Sequence, residues 1–165
     1  TPPIEVGFGY VDLGDLQQLN GDHAAAIASY QRARELMQPL VEREPDNNWA
    51  FGVLTYARIG LGEGDAALAA MRQRQAERPE AKGATNNELI REFRARVLAR
   101  LGRKPEAIAE LRYLLGIHYG GLMPPLTPAF LRLDPDFDRL RDDPEFQKLA
   151  AGTVAVPATS SGAKP

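Results

Sequence analysis

Asp134, Asp136, Asp138 and Glu145 have the relative spacing of the oxygen ligands of a calcium loop. That loop needs a glycine at its sixth place for a sharp turn, and Arg139 stands there. Asp134-Pro135 and Asp143-Pro144 read instead as helix starts. The aspartate satisfies free backbone donors, and proline costs nothing at the next position. His23 and His118 have no serine, carboxylate or second histidine at a recognised motif spacing, so neither is assigned catalysis or a metal. Gly60, Gly62 and Gly64 lack both the strand and the Lys-Ser/Thr of a phosphate loop and read as a hairpin turn. Pro125-Leu126-Thr127-Pro128 fits a PxxP pattern, but its Thr-Pro pair is itself a capping signal. There is no cysteine, which excludes disulfides and thiolate metal sites. The expectation is a protein that is not an enzyme, with no catalytic residue, no cofactor and no metal.

Composition narrows the classes further. Of 165 residues, 44% are hydrophobic and 25% charged, which suits a globular domain rather than a disordered chain. The formal net charge of -2 offers no basic field to nucleic acid or anionic lipid. Arginine supplies most of the 20 basic residues, a bias that fits a GC-rich bacterial genome. The opening Thr1-Pro2-Pro3 has no initiating Met and reads as a piece of a longer chain. The uncharged stretch from Tyr113 to Leu131 is interrupted by Pro124, Pro125 and Pro128, so no continuous helix can span a membrane there. It reads as a loop with short helices. The expectation is a soluble bacterial domain without membrane insertion, cytoplasmic or periplasmic.

The elements that must position any site follow from an internal repeat. Gly21, Gly62 and Gly102 each precede a small residue by five, at Ala26, Ala67 and Ala107. A bulky residue follows four further on, at Tyr30, Met71 and Leu111. Self-similarity at about 40 residues signals stacked helical hairpins. The glycine ends one helix in a left-handed turn, the alanine permits close approach, and the bulky residue fills the space between hairpins. Helices are expected at about 5–20, 22–43, 47–61, 64–77, 85–101 and 105–115, with Pro39 inside the second.

Thr127-Pro128, Asp134-Pro135 and Asp143-Pro144 then predict three short helices, Pro128–Leu133, Pro135–Arg141 and Pro144–Ala151. Phe130, Leu133, Phe137, Leu140, Phe146 and Leu149 are their expected core. A stack of hairpins needs such a cap over its last apolar face. The division is a domain over 1–151, capped from about 127, and a small, polar tail over 152–165.

The chain resembles the tetratricopeptide repeat family. Tyr10, Leu13, Gly14, Gly21, Ala26, Tyr30 and Ala33 match one unit. The second keeps Leu54, Gly62, Ala67 and Met71, with Thr55 and Arg74 where Gly and Ala are usual. The third keeps Ala95, Leu98, Gly102, Ala107 and Leu111, with Arg94 in place of Leu. The run from Leu131 to Leu149 is similar to the closing segment of such regions in large bacterial signalling proteins of the serine/threonine kinase or winged-helix type. The resemblance implies an all-α fold: a right-handed α-solenoid of about three hairpins plus the cap.

It also implies a non-catalytic protein–protein interaction module, the scaffold or sensory part of a larger signalling protein. In that family the first helix of each repeat lines a concave groove for a protein or peptide. Here that face would carry Asp12 and Asp15, then Trp49 and Tyr56, then Glu92, Arg96 and Arg100. Trp, Tyr and Arg dominate binding hot spots, so Trp49→Ala and Arg96→Ala are expected to weaken binding and leave helicity intact. The family's carboxylate-clamp subtype is not expected, since Val11, Asp15 and Val53 occupy its Lys and Asn places. A homo-oligomer is compatible with this reading. The alternative is a small-ligand sensor with a pocket beneath the Gly-rich loop and Met123.

Overall fold

A computed structural model describes residues 2–77, 84–117 and 126–152. These residues are all-helical, with no strand among them. The chain forms two compact units, Thr1–Ala81 and Lys82–Pro165. His118, Met123, the loop around them, Pro125 and the tail beyond Gly152 lie outside the described residues.

The first unit holds α1 (Pro3–Leu19), α2 (His23–Arg43), α3 (Asn48–Gly60) and α4 (Gly64–Glu77). α1 packs on α2 and α3, α2 on α3, and α3 on α4. The second holds α5 (Ala84–Arg100), α6 (Lys104–Gly116), α7 (Pro128–Leu131), a 3-10 helix Pro135–Leu140 and α8 (Pro144–Ala150). There α5 packs on α6 and the 3-10 helix, and α8 packs on α6 and α7.

Each hairpin turn is built the same way. Gly21, Gly62 and Gly102 have φ of 80°, 81° and 71°, a conformation that L side chains resist. Their N–H groups donate to Gln18, Ile59 and Ala99. The following N–H groups, of Asp22, Glu63 and Arg103, donate to Gln17, Arg58 and Leu98. This paired closure satisfies carbonyls left over at the helix end. Asp22 and Asn47 then cap α2 and α3 by accepting from the N–H groups of Ala25 and Ala50.

Ala26, Ala67 and Ala107 are buried, as are Tyr30, Met71 and Leu111. Ala26 has no exposed surface, so Ala26→Leu is expected to lower stability by about 1–3 kcal/mol through overpacking. Urea denaturation followed by circular dichroism checks this. An unchanged midpoint would show that the helix contact there has room.

The departures from the repeat pattern each have a partner. Thr55 returns its hydroxyl to the Phe51 carbonyl at 2.8 Å. Arg74 is buried over the Phe51 ring, 4.5 Å from its centroid, and donates to Asn48. Arg94 pairs with Glu110 of α6 at 3.4 Å, and Glu110 also takes Arg91 at 2.9 Å.

The cap helices start where the Thr-Pro and Asp-Pro pairs place them. Thr127 accepts from Phe130 N–H, Asp134 from Asp136 N–H, and Asp143 from the N–H groups of Glu145 and Phe146. Phe137, Leu140, Phe146 and Leu149 are buried, with the Phe137 and Phe146 rings 6.1 Å apart. Leu133 is a correction. It is 76% exposed, and Leu131 is buried in its place. α7 ends at Leu131 after a single turn, so the helical spacing from Phe130 does not extend to residue 133.

Candidate functional site

The residues assigned to a binding face divide between the units. Asp12, Asp15, Trp49 and Tyr56 belong to the first; Glu92, Arg96 and Arg100 belong to the second.

In the first unit, α1 and α3 are neighbouring first helices of their hairpins. Phe8 on α1 and Trp49 on α3 are separated by 41 residues, the repeat spacing, so they hold equivalent places. Their rings meet edge to face, 6.1 Å between centroids and 72° between planes, a favourable quadrupolar arrangement. Trp49 remains 44% exposed. Asp12 is exposed beside Leu13, Leu16 and Leu19, which are also exposed. Asp15 accepts the Tyr30 hydroxyl at 2.7 Å and so contributes to packing between α1 and α2. Tyr56 is buried. Its ring is therefore part of the interior and not of an open face.

The second unit departs from expectation more sharply. Glu92 is 0% exposed and Arg96 7%. The Arg96 guanidinium turns to Glu92 through Nε and Nη2, at 3.1 and 2.8 Å. Its Nη1 donates to Asp134 and to Asp136, the latter at 2.9 Å. Arg100 donates to Asp136 from one turn further along α5. The Arg96 guanidinium also lies 5.3 Å from the Phe137 ring centroid. The basic end expected of a groove is thus occupied from within the chain by the carboxylates of the cap. Glu92, Arg96 and Arg100 bind α5 to the 3-10 helix. Sequence reasoning missed Asp134 and Asp136 as their partners, having assigned both only to helix starts.

These charges make the cap sensitive to acid. Burial pushes the Asp136 carboxyl up, but attraction to Arg100 and Arg96 and their hydrogen bonds outweigh it and hold it below the usual carboxylate range. A carboxyl lowered in the folded state stabilises the fold above its unfolded pKa, near 3.8, and loses that contribution as pH falls through the lower folded value. The stability of the cap should therefore be level across neutral pH and decline only below about pH 4. Acid unfolding followed by circular dichroism checks this against Asp136→Asn, which should flatten the acid limb. An identical acid limb in both proteins would remove Asp136 as its source.

No family model, curated protein or solved structure matches this chain.

Other concave features are already engaged. A groove of about 520 Å³ over α2 and α3 is lined by Arg34, Arg58 and Glu63 among others. Arg34 donates to Glu63 there and Arg58 to Gln38. A smaller groove of about 350 Å³ on the cap is lined by Arg132 and Arg141, with Phe146 and Ala150 beside them. Both arginines donate to backbone carbonyls, Arg132 to Ala150 and Arg141 to Arg132. His23 begins α2 in an exposed position, its Nδ1 3.0 Å from the Gln18 amide oxygen. Among the described residues, no three His, Cys, Asp or Glu side chains gather as a metal site would require. None of the described helices is long and apolar enough to cross a membrane.

Proposed function

We propose that the chain is a non-catalytic protein–protein interaction module of tetratricopeptide type. In this reading its hairpins form a solenoid, part of a larger bacterial signalling protein. The observation that carries the reading is the Phe8–Trp49 pair on two adjacent first helices, with the indole left part-exposed. The turns repeated at Gly21, Gly62 and Gly102 support the hairpin register that makes those positions equivalent. A rigid aromatic pair offers large contact area at small entropic cost, the property that concentrates binding energy at hot spots. Tyr56, Glu92, Arg96 and Arg100 have no part in this surface, because each serves the interior or the cap.

The test begins with a partner isolated from the native host by cross-linking through position 12, next to the aromatic pair on α1. Titration of that partner with Trp49→Ala should show a loss of about 1–3 kcal/mol, the scale of hot-spot truncations. Helicity should be unchanged, because the indole lies largely outside the core. Equal affinity for wild type and variant would place binding elsewhere. Loss of helicity would make the indole a core residue.

A further inference from the structure

We infer that the side of α1 carrying Gly9, Leu13 and Leu16 is covered by a further helical hairpin of the same polypeptide, one that precedes α1. This rests on the reading of the chain as part of a larger protein.

The internal repeat supplies the template. Positions 41 residues apart on α1 and α3 are equivalent, so Gly9, Leu13 and Leu16 correspond to Ala50, Leu54 and Ala57. On α3 all three are buried. The residues around them show what covers that side. A Cβ on Gly7 of α1 would lie 3.1 Å from Val53 Cγ1, and one on Gly60 of α3 would lie 2.5 Å from the Tyr30 ring of α2. On the other edge, Arg58 donates to Gln38 of α2 at 3.1 Å. The preceding hairpin, α1 with α2, thus closes over this side of α3.

On α1 the same side is bare. Gly9, Leu13 and Leu16 fall within about 60° of one another around the helix, opposite the buried stripe of Gly7, Val11 and Gly14. Leu13 is 43% exposed and Leu16 59%, and nothing lies within 4 Å of a Cβ built on Gly9. α1 is therefore apolar on two opposite sides, the pattern of a helix packed between neighbours rather than at a surface. The contacts of α1 with α2 and α3 leave the second side in water.

The same template selects the occupant. The covering hairpin runs straight into the helix it covers, α2 joining α3 through residues 44–47. A hairpin placed likewise on α1 ends where α1 begins. A second copy of this chain could offer only its own α1, because the side of α2 that covers α3 is already taken by α3. One helix would replace the two that close over α3. The occupant is also no duplicate of α1 and α2. Leu16 and Leu19 stand where α3 has Ala57 and Gly60. The covering helix therefore carries a small residue where α2 carries Tyr30. Asp12 stands where α3 has Val53, so the edge that meets it is polar.

The chain has no cysteine, so Leu16→Cys introduces its single thiol. Glu42→Cys, at an exposed site on α2, is the reference. Each variant is treated with a maleimide in this chain and in the complete product of its gene, and the modified peptide is quantified by mass spectrometry. In this chain the two thiols should react at similar rates. In the complete product, position 16 should react at least about tenfold more slowly, as a thiol does on passing from surface to interior, while position 42 stays within about twofold. Equal rates at position 16 in the two proteins would overturn the inference. So would slowing that depends on protein concentration, which would make the cover a second copy, or slowing that needs an added partner. Trp49 is not among the residues of this side. A longer gene product without slowing, whose partner still depends on Trp49, would remove the hairpin and leave the interaction reading standing. A gene product no longer than this chain would remove the larger-protein reading together with the hairpin.

Discussion

Arg96→Leu should unfold the cap, at a cost of about 3–5 kcal/mol, the range for removing one partner of a buried ion pair. The side chains of Arg96, Glu92, Asp134 and Asp136 are 9%, 0%, 8% and 10% exposed. Without the guanidinium, three carboxylates with little access to water lose their common cation. Arg100 remains as a cation beside Asp136. Burying unpaired charge is expensive enough that local opening becomes the cheaper alternative.

Arg96→Lys should rescue little of this loss. The Arg96 fork uses Nε, Nη1 and Nη2 at once to span α5 and the 3-10 helix. An ammonium is a point charge and cannot reproduce that planar spread. The comparison is Lys104→Ala, which removes the pairing of Lys104 with Asp142, an exposed carboxylate. Solvent screens such a pair, and its loss should fall within the scatter of the measurement. Hydrogen exchange locates the effect. In Arg96→Leu, amides of the 3-10 helix and α8 should lose protection first. Retained protection there would mean that the buried charges are not what fastens the cap.

The charge cluster also shows where sequence reasoning stops. Asp134 and Asp136 are separated from Arg96 by 38 and 40 residues, and no local spacing rule links them. A signal was nonetheless present. Arg96 and Arg100 lie one turn apart on a helix whose other residues include Phe93, Val97 and Leu98, all buried. Arginines so placed within an apolar helix require carboxylates from another element. The adjacent Asp-Pro pairs were the obvious donors of those carboxylates. Reading the arginines as an open, basic groove end gave more weight to family resemblance than to that requirement.

Helix ends were legible because they are encoded locally. A glycine at positive φ and an Asp, Asn or Thr accepting backbone N–H bonds specify a stop and a start without reference to distant residues. The interior contacts at Ala26, Ala67 and Ala107 were legible because they repeat. Leu133 was misassigned because one helical turn is too short to sustain a period. Leu13 matches the repeat signature in the sequence, but its exposure becomes evident only when the neighbours of α1 are known.

The other large effect concerns Tyr30, whose ring fills a space between glycines of two helices. A Cβ on Gly14 of α1 would lie 2.6 Å from the ring, and one on Gly60 of α3 would lie 2.5 Å from it. The ring cannot simply withdraw, since its hydroxyl is bonded to Asp15 at 2.7 Å and the side chain is buried. Two opposed terms act on Gly14→Ala. Alanine improves helix propensity by about 1 kcal/mol. Overpacking a filled interior costs about 1–3 kcal/mol, and contacts this short against a rigid, tethered ring fall at its upper end. Gly14→Ala and Gly60→Ala should therefore both destabilise. Gly9→Ala isolates the propensity term, because nothing lies within 4 Å of its added Cβ; that variant should gain stability. Tyr30→Leu should reverse part of the cost of Gly14→Ala when the two are combined, an interaction that a double-mutant cycle measures directly. The readout is the urea midpoint of each protein by circular dichroism. If Gly14→Ala gains stability as Gly9→Ala does, the ring does not occupy the space between the glycines, and the packing of α1, α2 and α3 must be redrawn.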